Sequence, residues 1–180
     1  TPPKGVQPIS GFDASRYLGK WYEVARLENR FERGLEQVTA TYGARSDGGI
    51  SVVNRGYDPV KKRWNESDGK AYFTGAPTTA ALKVSFFGPF YGGYNVIRLD
   101  DDYQYALVSG PNRDYVWILS RSPTIPAAVK QDYLNTAREL GFDVDRLVWI
   151  QRGSRLVGKK QNGFMRQRPS DGNPLTFSNR

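Results

Sequence analysis

The sequence predicts an all-β fold: an eight-stranded antiparallel up-and-down barrel, one helix packed outside it, and a short ninth strand. Three observations carry that expectation. Turn residues punctuate the 180-residue chain at short, regular intervals. Between the turns the residues alternate apolar and polar, or are rich in β-branched and aromatic types. The connections are short, which favours antiparallel neighbours in an unbroken meander.

Each element follows in order. Tyr17-Leu18-Gly19 leads into the first strand, Lys20-Trp21-Tyr22-Glu23-Val24-Ala25-Arg26. Residues 37–42 alternate and are turned by Ser46-Asp47-Gly48-Gly49. The third strand, 50–57, ends at Asp58-Pro59, and the fourth, 64–73, ends before Gly75 and Pro77. The fifth, 81–87, is turned by Gly88-Pro89 and Gly92-Gly93. Residues 94–99 and 103–108 pair through Asp100-Asp101-Asp102, and Gly110-Pro111-Asn112-Arg113-Asp114 leads into the eighth strand, 115–120. Residues 125–140 then carry Val129, Tyr133, Leu134, Ala137 and Leu140 at helical spacing. Thr124 is the expected N-cap, with Pro126 in the first turn and Gly141 closing the end. A single amphipathic helix after eight strands must lay its apolar face on the outside of the sheet. Residues 144–151 read as the ninth strand.

Composition limits the chemistry. The chain has no cysteine and no histidine, so it has no disulfide, no thiolate nucleophile, no Ser-His-Asp triad and no histidine-held zinc or haem. No metal and no cofactor are expected, although a tyrosine-ligated haem stays open. No run of about 18 apolar residues is present to span a membrane, and Thr1-Pro2-Pro3-Lys4-Gly5 is not a signal peptide. The formal charge of +8 is unevenly placed. Residues 152–180 hold seven basic residues against Asp171 alone; removing these from the 26 and 18 of the whole chain leaves 19 and 17. The expected organisation is a nearly neutral domain over 1–151 and a basic, disordered tail over 152–180. A native extension and an added tail both fit, the second being favoured because a compact domain already ends at Gln151.

An eight-strand meander removes its hazardous edges by closing, and a barrel of that size either fills with side chains or holds one small ligand. The inward set is expected to be Val38, Ala40 and Tyr42 on the second strand and Val52, Asn54 and Gly56 on the third. Residues this small favour a cavity; with the opposite faces inward the lumen would simply pack.

Three motifs in order resemble the lipocalin family: Gly19-Lys20-Trp21-Tyr22 opening the first strand, Asp102-Tyr103-Gln104-Tyr105-Ala106-Leu107-Val108 at the sixth turn, and Trp117-Ile118-Leu119-Ser120-Arg121 closing the eighth strand. The second has one residue fewer between its tyrosines than many members. Stretches 31–36, 69–77 and 85–97 are similar to the bacterial members, outer-membrane lipoproteins of Gram-negative bacteria, and the likeness covers about 1–151. The resemblance implies that Trp21 plugs the closed end with Arg121 across its indole, a cation–π contact; ordinary core packing of Trp21 is the plainer reading. It implies a non-catalytic carrier of fatty acids or lysophospholipids in cell-envelope lipid maintenance. The pocket it implies comprises Ala40, Tyr42, Val52, Asn54, Val84, Phe86, Val96, Tyr115 and Trp117. Asn54, Tyr42 and Tyr115 are candidates for a head group near the mouth. Arg98 is a candidate for its carboxylate or phosphate, or else a solvated strand residue. The loops at Gly34 and 88–93 are expected to border the mouth, with Phe87, Phe90 and Tyr91 there as a dimer contact or membrane approach. A lipid-bearing cysteine would lie just upstream of Thr1, which makes this chain a soluble version with its anchor removed and places the native form at the periplasmic face of the outer membrane.

Two rival functions are open to these residues. The basic tail could hold nucleic acid or another polyanion without specificity, and no specific nucleic-acid partner is expected. An acid–base enzyme built on Glu23 and Tyr115 is the other rival, set against a structural role for Glu23.

Overall fold

In a computed structural model that describes residues 1–88 and 90–150, apart from the side chains of Phe87 and Phe90, the alternation becomes a closed sheet. The strands are β1 (Gly19–Leu27), β2 (Glu36–Ala44), β3 (Ile50–Asp58), β4 (Arg63–Phe73), β5 (Ala81–Phe87), β6 (Phe90–Leu99), β7 (Tyr105–Ser109), β8 (Val116–Ser120) and β9 (Leu147–Trp149). Two helices accompany them, α1 (Ala14–Tyr17) and α2 (Ala127–Glu139). Each of β1 to β7 pairs antiparallel with its successor, and β1 pairs with both β2 and β8, so the eight close into a barrel. This compact unit spans Thr1–Ile150, and the expected disordered tail over 152–180 lies outside the described residues.

Near the floor β1 pairs with β2 from Gly19↔Tyr42 to Tyr22↔Thr39. Toward the other end β2 departs, and β9 takes its place beside Ala25, Arg26 and Leu27. That covers a strand edge left bare where the β1–β2 loop, residues 28–35, crosses the mouth.

Two apolar clusters share the sheet. The inner one holds Phe12, Tyr17, Trp21, Ala40, Tyr42 and Val52 among others. The outer one sets Tyr133 and Ala137 of α2 against Ile97, Leu107, Val116 and Ile118. α2 ends as its sequence implies: Gly141 has φ +91°, its N–H donates to Arg138 O, and Phe142 N–H donates back to Ala137 O, each at 3.0 Å. This is a Schellman closure, which only a left-handed residue permits without strain.

The structure corrects several boundaries. The N-cap of α2 is Pro126, without a side-chain cap, and the carbonyl of Thr124 instead accepts from the Ser122 hydroxyl. β6 begins at Phe90, so Gly92 and Gly93 belong to the strand and not to the turn. A Cβ at Gly93 would lie 3.3 Å from Pro111, so the glycine marks a close approach. The expected ninth strand is a single 3-10 turn, Val144–Arg146, followed by the short β9, because the chain must bend back from α2 before it can run along β1. In the β6–β7 turn it is Asp100, not the exposed Asp102, whose carboxylate accepts from Gln104 N and Tyr105 N, both at 2.7 Å.

The floor is built around Trp21, which is fully buried and donates Nε1–H to Tyr17 O at 2.8 Å. Arg121 lies over the indole with Cζ 4.0 Å from the ring centroid. Its nitrogens donate to Arg16 O, Leu18 O, Lys20 O and Tyr103 O at 2.8 to 3.1 Å. Tyr103, at the β6–β7 turn, accepts Asp13 N–H on its hydroxyl, while Tyr22 faces outward under Lys20. Hydrogen bonds from a charged donor contribute about 1.5–3 kcal/mol in favourable settings. Arg121→Met is therefore expected to lower unfolding free energy by about 2–3 kcal/mol, and Arg121→Lys to restore less than half of that, since one ammonium cannot reproduce a planar fork. Urea unfolding measures both; equal stability of the methionine variant and the parent would refute the assignment.

Candidate functional site

Above Trp21 the barrel encloses a cavity of about 130 Å³, some ten times the roughly 10–15 Å³ that one water requires. The lumen is therefore not filled by side chains. Small residues leave the room, Ala40 from β2 and Ala71 from β4, with Ile50, Val52, Leu82 and Val84 completing the apolar wall. Gly69 has a related role: a Cβ there would lie 2.6 Å from Ser85 O and 2.7 Å from the Phe86 ring, so its absence lets that ring lie against the sheet.

At the floor, Phe12 and three tyrosines line the space. The hydroxyl of Tyr94 is 2.7 Å from those of both Tyr17 and Tyr42, which makes a short chain of phenols. Burial pushes all three pKa values up, so the hydroxyls stay neutral.

The opposite end is charged. Strict alternation along β1 would turn Arg26 outward, but the register shifts between Glu23 and Ala25. The extra residue of this bulge sends Val24 and Ala25 together to the outer cluster and turns both Glu23 and Arg26 inward. Arg26 is fully buried; it donates to Glu28 Oε1 at 2.9 Å, Glu23 Oε1 at 3.2 Å, and the carbonyls of Glu32 and Leu35. These last two bonds hold loop 28–35 down over the mouth. Glu32 points in from that loop and accepts from Trp117 Nε1 and Asn29 Nδ2, each at 2.9 Å.

The protonation states follow from the surroundings. Burial first, and then the Glu32 charge, raise the Glu23 pKa well above its ordinary value, so Glu23 is the neutral member of the cluster. Burial works against the Arg26 cation, but Glu23, Glu28 and Glu32 outweigh it and raise its pKa. The site can thus offer neutral hydroxyls at the floor, apolar contact along the wall, and a protonated carboxyl beside carboxylates at the mouth.

Of the residues expected in the pocket, Ala40, Tyr42, Val52, Asn54, Val84, Phe86 and Trp117 line the cavity. Tyr42 stands at the floor, not at the mouth where a head group was expected to meet it. Val96 is fully buried in the inner cluster, packed among neighbours and away from the open space. Tyr115 precedes β8 and stacks on Trp117 with centroids 6.1 Å apart, outside the lining. Arg98 is outside the barrel altogether. The register shifts again between Val96 and Arg98, so Arg98 turns to α2, where it donates to both oxygens of Asp132 and covers the Tyr133 ring. Sequence reasoning missed Arg26, Glu32, Tyr17, Tyr94 and Phe12. Period-two parity points to Tyr94, whereas nothing local marks Glu32, which reaches the site from a loop.

A family model described as a lipocalin-like domain matches residues 12–152. The chain belongs to the lipocalin family. It is 64% identical to the outer membrane lipoprotein Blc of Escherichia coli K12 over 152 residues, covering 84% of this chain and 86% of that protein. Against temperature-induced lipocalin-1 of Arabidopsis thaliana the identity is 34%, over 82% of this chain and 83% of the relative. Among solved structures, insecticyanin of the tobacco hornworm Manduca sexta superposes with a TM-score of 0.68 at 22% identity, covering 85% of this chain and 88% of that one; this likeness establishes the fold alone. Lipocalins bind small hydrophobic molecules, and the blind apolar cavity is what such binding requires.

A carboxyl whose pKa is higher in the folded than in the unfolded chain binds its proton more tightly when folded, so stability declines as pH rises between the two values. For Glu23 that window opens at its ordinary 4.5 and extends upward. Glu23→Gln removes the titration. The expected outcome is that the variant gains on the parent as pH rises above 4.5, as read from urea midpoints. Parallel curves would show that Glu23 is ionised throughout.

Proposed function

We propose that this lipocalin carries a single-chain lipid, a fatty acid or lysophospholipid, and serves lipid maintenance in the cell envelope without catalysing a reaction. The observation that carries this reading is the blind cavity itself: apolar along its length and polar at both ends. Each methylene moved from water into such a wall contributes about 0.8 kcal/mol. A dozen therefore gain roughly 10 kcal/mol, within the range of about 4–15 kcal/mol that association costs. The walls of Phe86, Tyr42 and Trp117 leave a lumen suited to one chain. At the mouth, protonated Glu23 and the amide of Asn54 are groups able to hydrogen-bond a head group.

The setting rests on the relatives, which are named outer membrane lipoproteins at 55–64% identity. By that likeness the native form is held at the periplasmic face of the outer membrane by a lipid-bearing residue ahead of Thr1. No helix of the described residues is long and apolar enough to cross a membrane.

Trp at Ala40 or at Val52 is expected to fill the lumen. Each variant should lose binding of a fluorescent fatty acid by about a hundredfold or more while its unfolding stays cooperative. Retained affinity in both would move the binding site elsewhere.

A further inference from the structure

We propose that the open end of the barrel docks onto an anionic lipid bilayer through the tip of the β3–β4 hairpin and Phe31 of the β1–β2 loop. The hairpin outgrows the wall. β4 pairs with β3 from Ala71 up to Arg63, but with β5 only from Phe73 to Lys70, so residues 63–69 have no second neighbour strand. The tip is shaped to stand out. Asp58 Oδ1 accepts Val60 N at 3.0 Å and Lys61 N at 3.1 Å, and Lys62 takes φ 55°.

What the tip presents is apolar and basic together. Val60 is 88% exposed and Trp64 43% exposed, with Arg55 over the indole at 4.3 Å. On the neighbouring loop Phe31 is 63% exposed, held outward because Asn29 Oδ1 accepts both Phe31 N and Glu32 N at 3.1 Å. Lys61, Lys62 and Arg63 flank Val60, and Arg30 and Arg33 flank Phe31. Of the acidic residues on these two segments, Asp58 caps the turn, Glu28 pairs with Arg26, Glu32 faces the cavity and Glu66 pairs with Arg55 at 3.6 Å, while the exposed Asp68 lies further down β4, away from the tip. An aliphatic and aromatic tip ringed by cations is the pattern that lies in the interface of a negatively charged leaflet. A second copy of this chain would bring like charges together at the same tip, and Val60 gains nothing from a polyanion in water.

The position adds weight. This is the end at which the cavity opens, so docking would deliver the mouth to the lipid surface. The chain's own start is there as well, because Arg113 in the β7–β8 loop donates to Lys4 O at 2.7 Å. An anchor ahead of Thr1, as proposed above, would leave from the same face; the docking does not depend on it.

Co-sedimentation of the full chain with vesicles tests the idea, using phosphatidylcholine alone and roughly three-to-one phosphatidylcholine and phosphatidylglycerol. The expected result is binding to the anionic vesicles about tenfold or more tighter than to the neutral ones. Lys61→Gln, Lys62→Gln and Arg63→Gln together should bring the anionic binding close to the neutral level. Val60→Ser with Phe31→Ser should weaken it about fivefold or more while leaving the salt dependence intact. All five positions are exposed and these variants keep the basic residues of 152–180. If both variants bind as the parent does, the tip is not the contact, and the inference fails. It fails equally if the apolar pair changes only self-association in light scattering, or if the tip retains DNA but not vesicles. Trp at Ala40 serves as the control, since it should spare vesicle binding whether or not the cavity carries lipid.

Discussion

Everything above the floor of this barrel depends on one guanidinium laid across one indole. Strand ends in a barrel leave carbonyls without partners, and Arg121 gathers four of them from the end of α1, the start of β1 and the β6–β7 turn. The same cation presses on Trp21, whose ring closes the lumen from below. Sequence segments more than a hundred residues apart are thereby fixed to one another. With the floor sealed, the cavity is blind, and whatever enters must do so past loop 28–35.

The mouth obeys a different rule. A buried ion pair seldom gains much stability, because desolvating the charges offsets their attraction. Arg26 is better understood by what it holds in place. Its carbonyl bonds to Glu32 and Leu35 set the path of the loop, and Glu28 and Glu32 beyond the end of β1 keep it charged where water is scarce. Leu35 in turn lies over Gly56, where a Cβ would come within 3.1 Å of it. The small residue on β3 thus serves the loop as well as the lumen.

Much of this was legible in the sequence where the period of two runs unbroken. On β2 and β3 the burial follows parity, with Val38, Ala40 and Tyr42 facing in and Ile50, Val52 and Gly56 likewise. Parity failed at the bulges. A one-residue shift carries no composition of its own when the extra residue is not glycine, so neither Arg26 nor Arg98 could be placed by counting. Arg98 looked like a head-group ligand for the sole reason that Val96 two residues earlier faces in. Glu32 was illegible for another reason: it meets Trp117 across 85 positions of sequence, and no local pattern records that. The choice of Asp100 over Asp102 in one acidic turn depends on the left-handed Tyr103, which separates the three aspartates from the Gln104 and Tyr105 amides that donate to Asp100, a backbone detail that three identical side chains conceal.

The two polar ends also bear on how the proposed lipid would lie. A charged head group carried to the floor would lose its water and meet three neutral phenols, with no cation among the described residues that line the cavity there. Leaving an ion unpaired in such a place costs several kcal/mol, more than phenol hydrogen bonds return. The tail must therefore lead. The phenols still matter to it, because three hydroxyls share only two bonds among themselves. One hydroxyl proton is left over, and a hydrocarbon end pressed against it would strand a polar group. A methyl terminus gains most by stopping just short of Tyr94, with a water kept at the floor or the proton left to the chain of tyrosines. The depth of the pocket, and with it the preferred length of chain, is then set by the hydroxyls of Tyr17, Tyr42 and Tyr94 as much as by Trp21 beneath them.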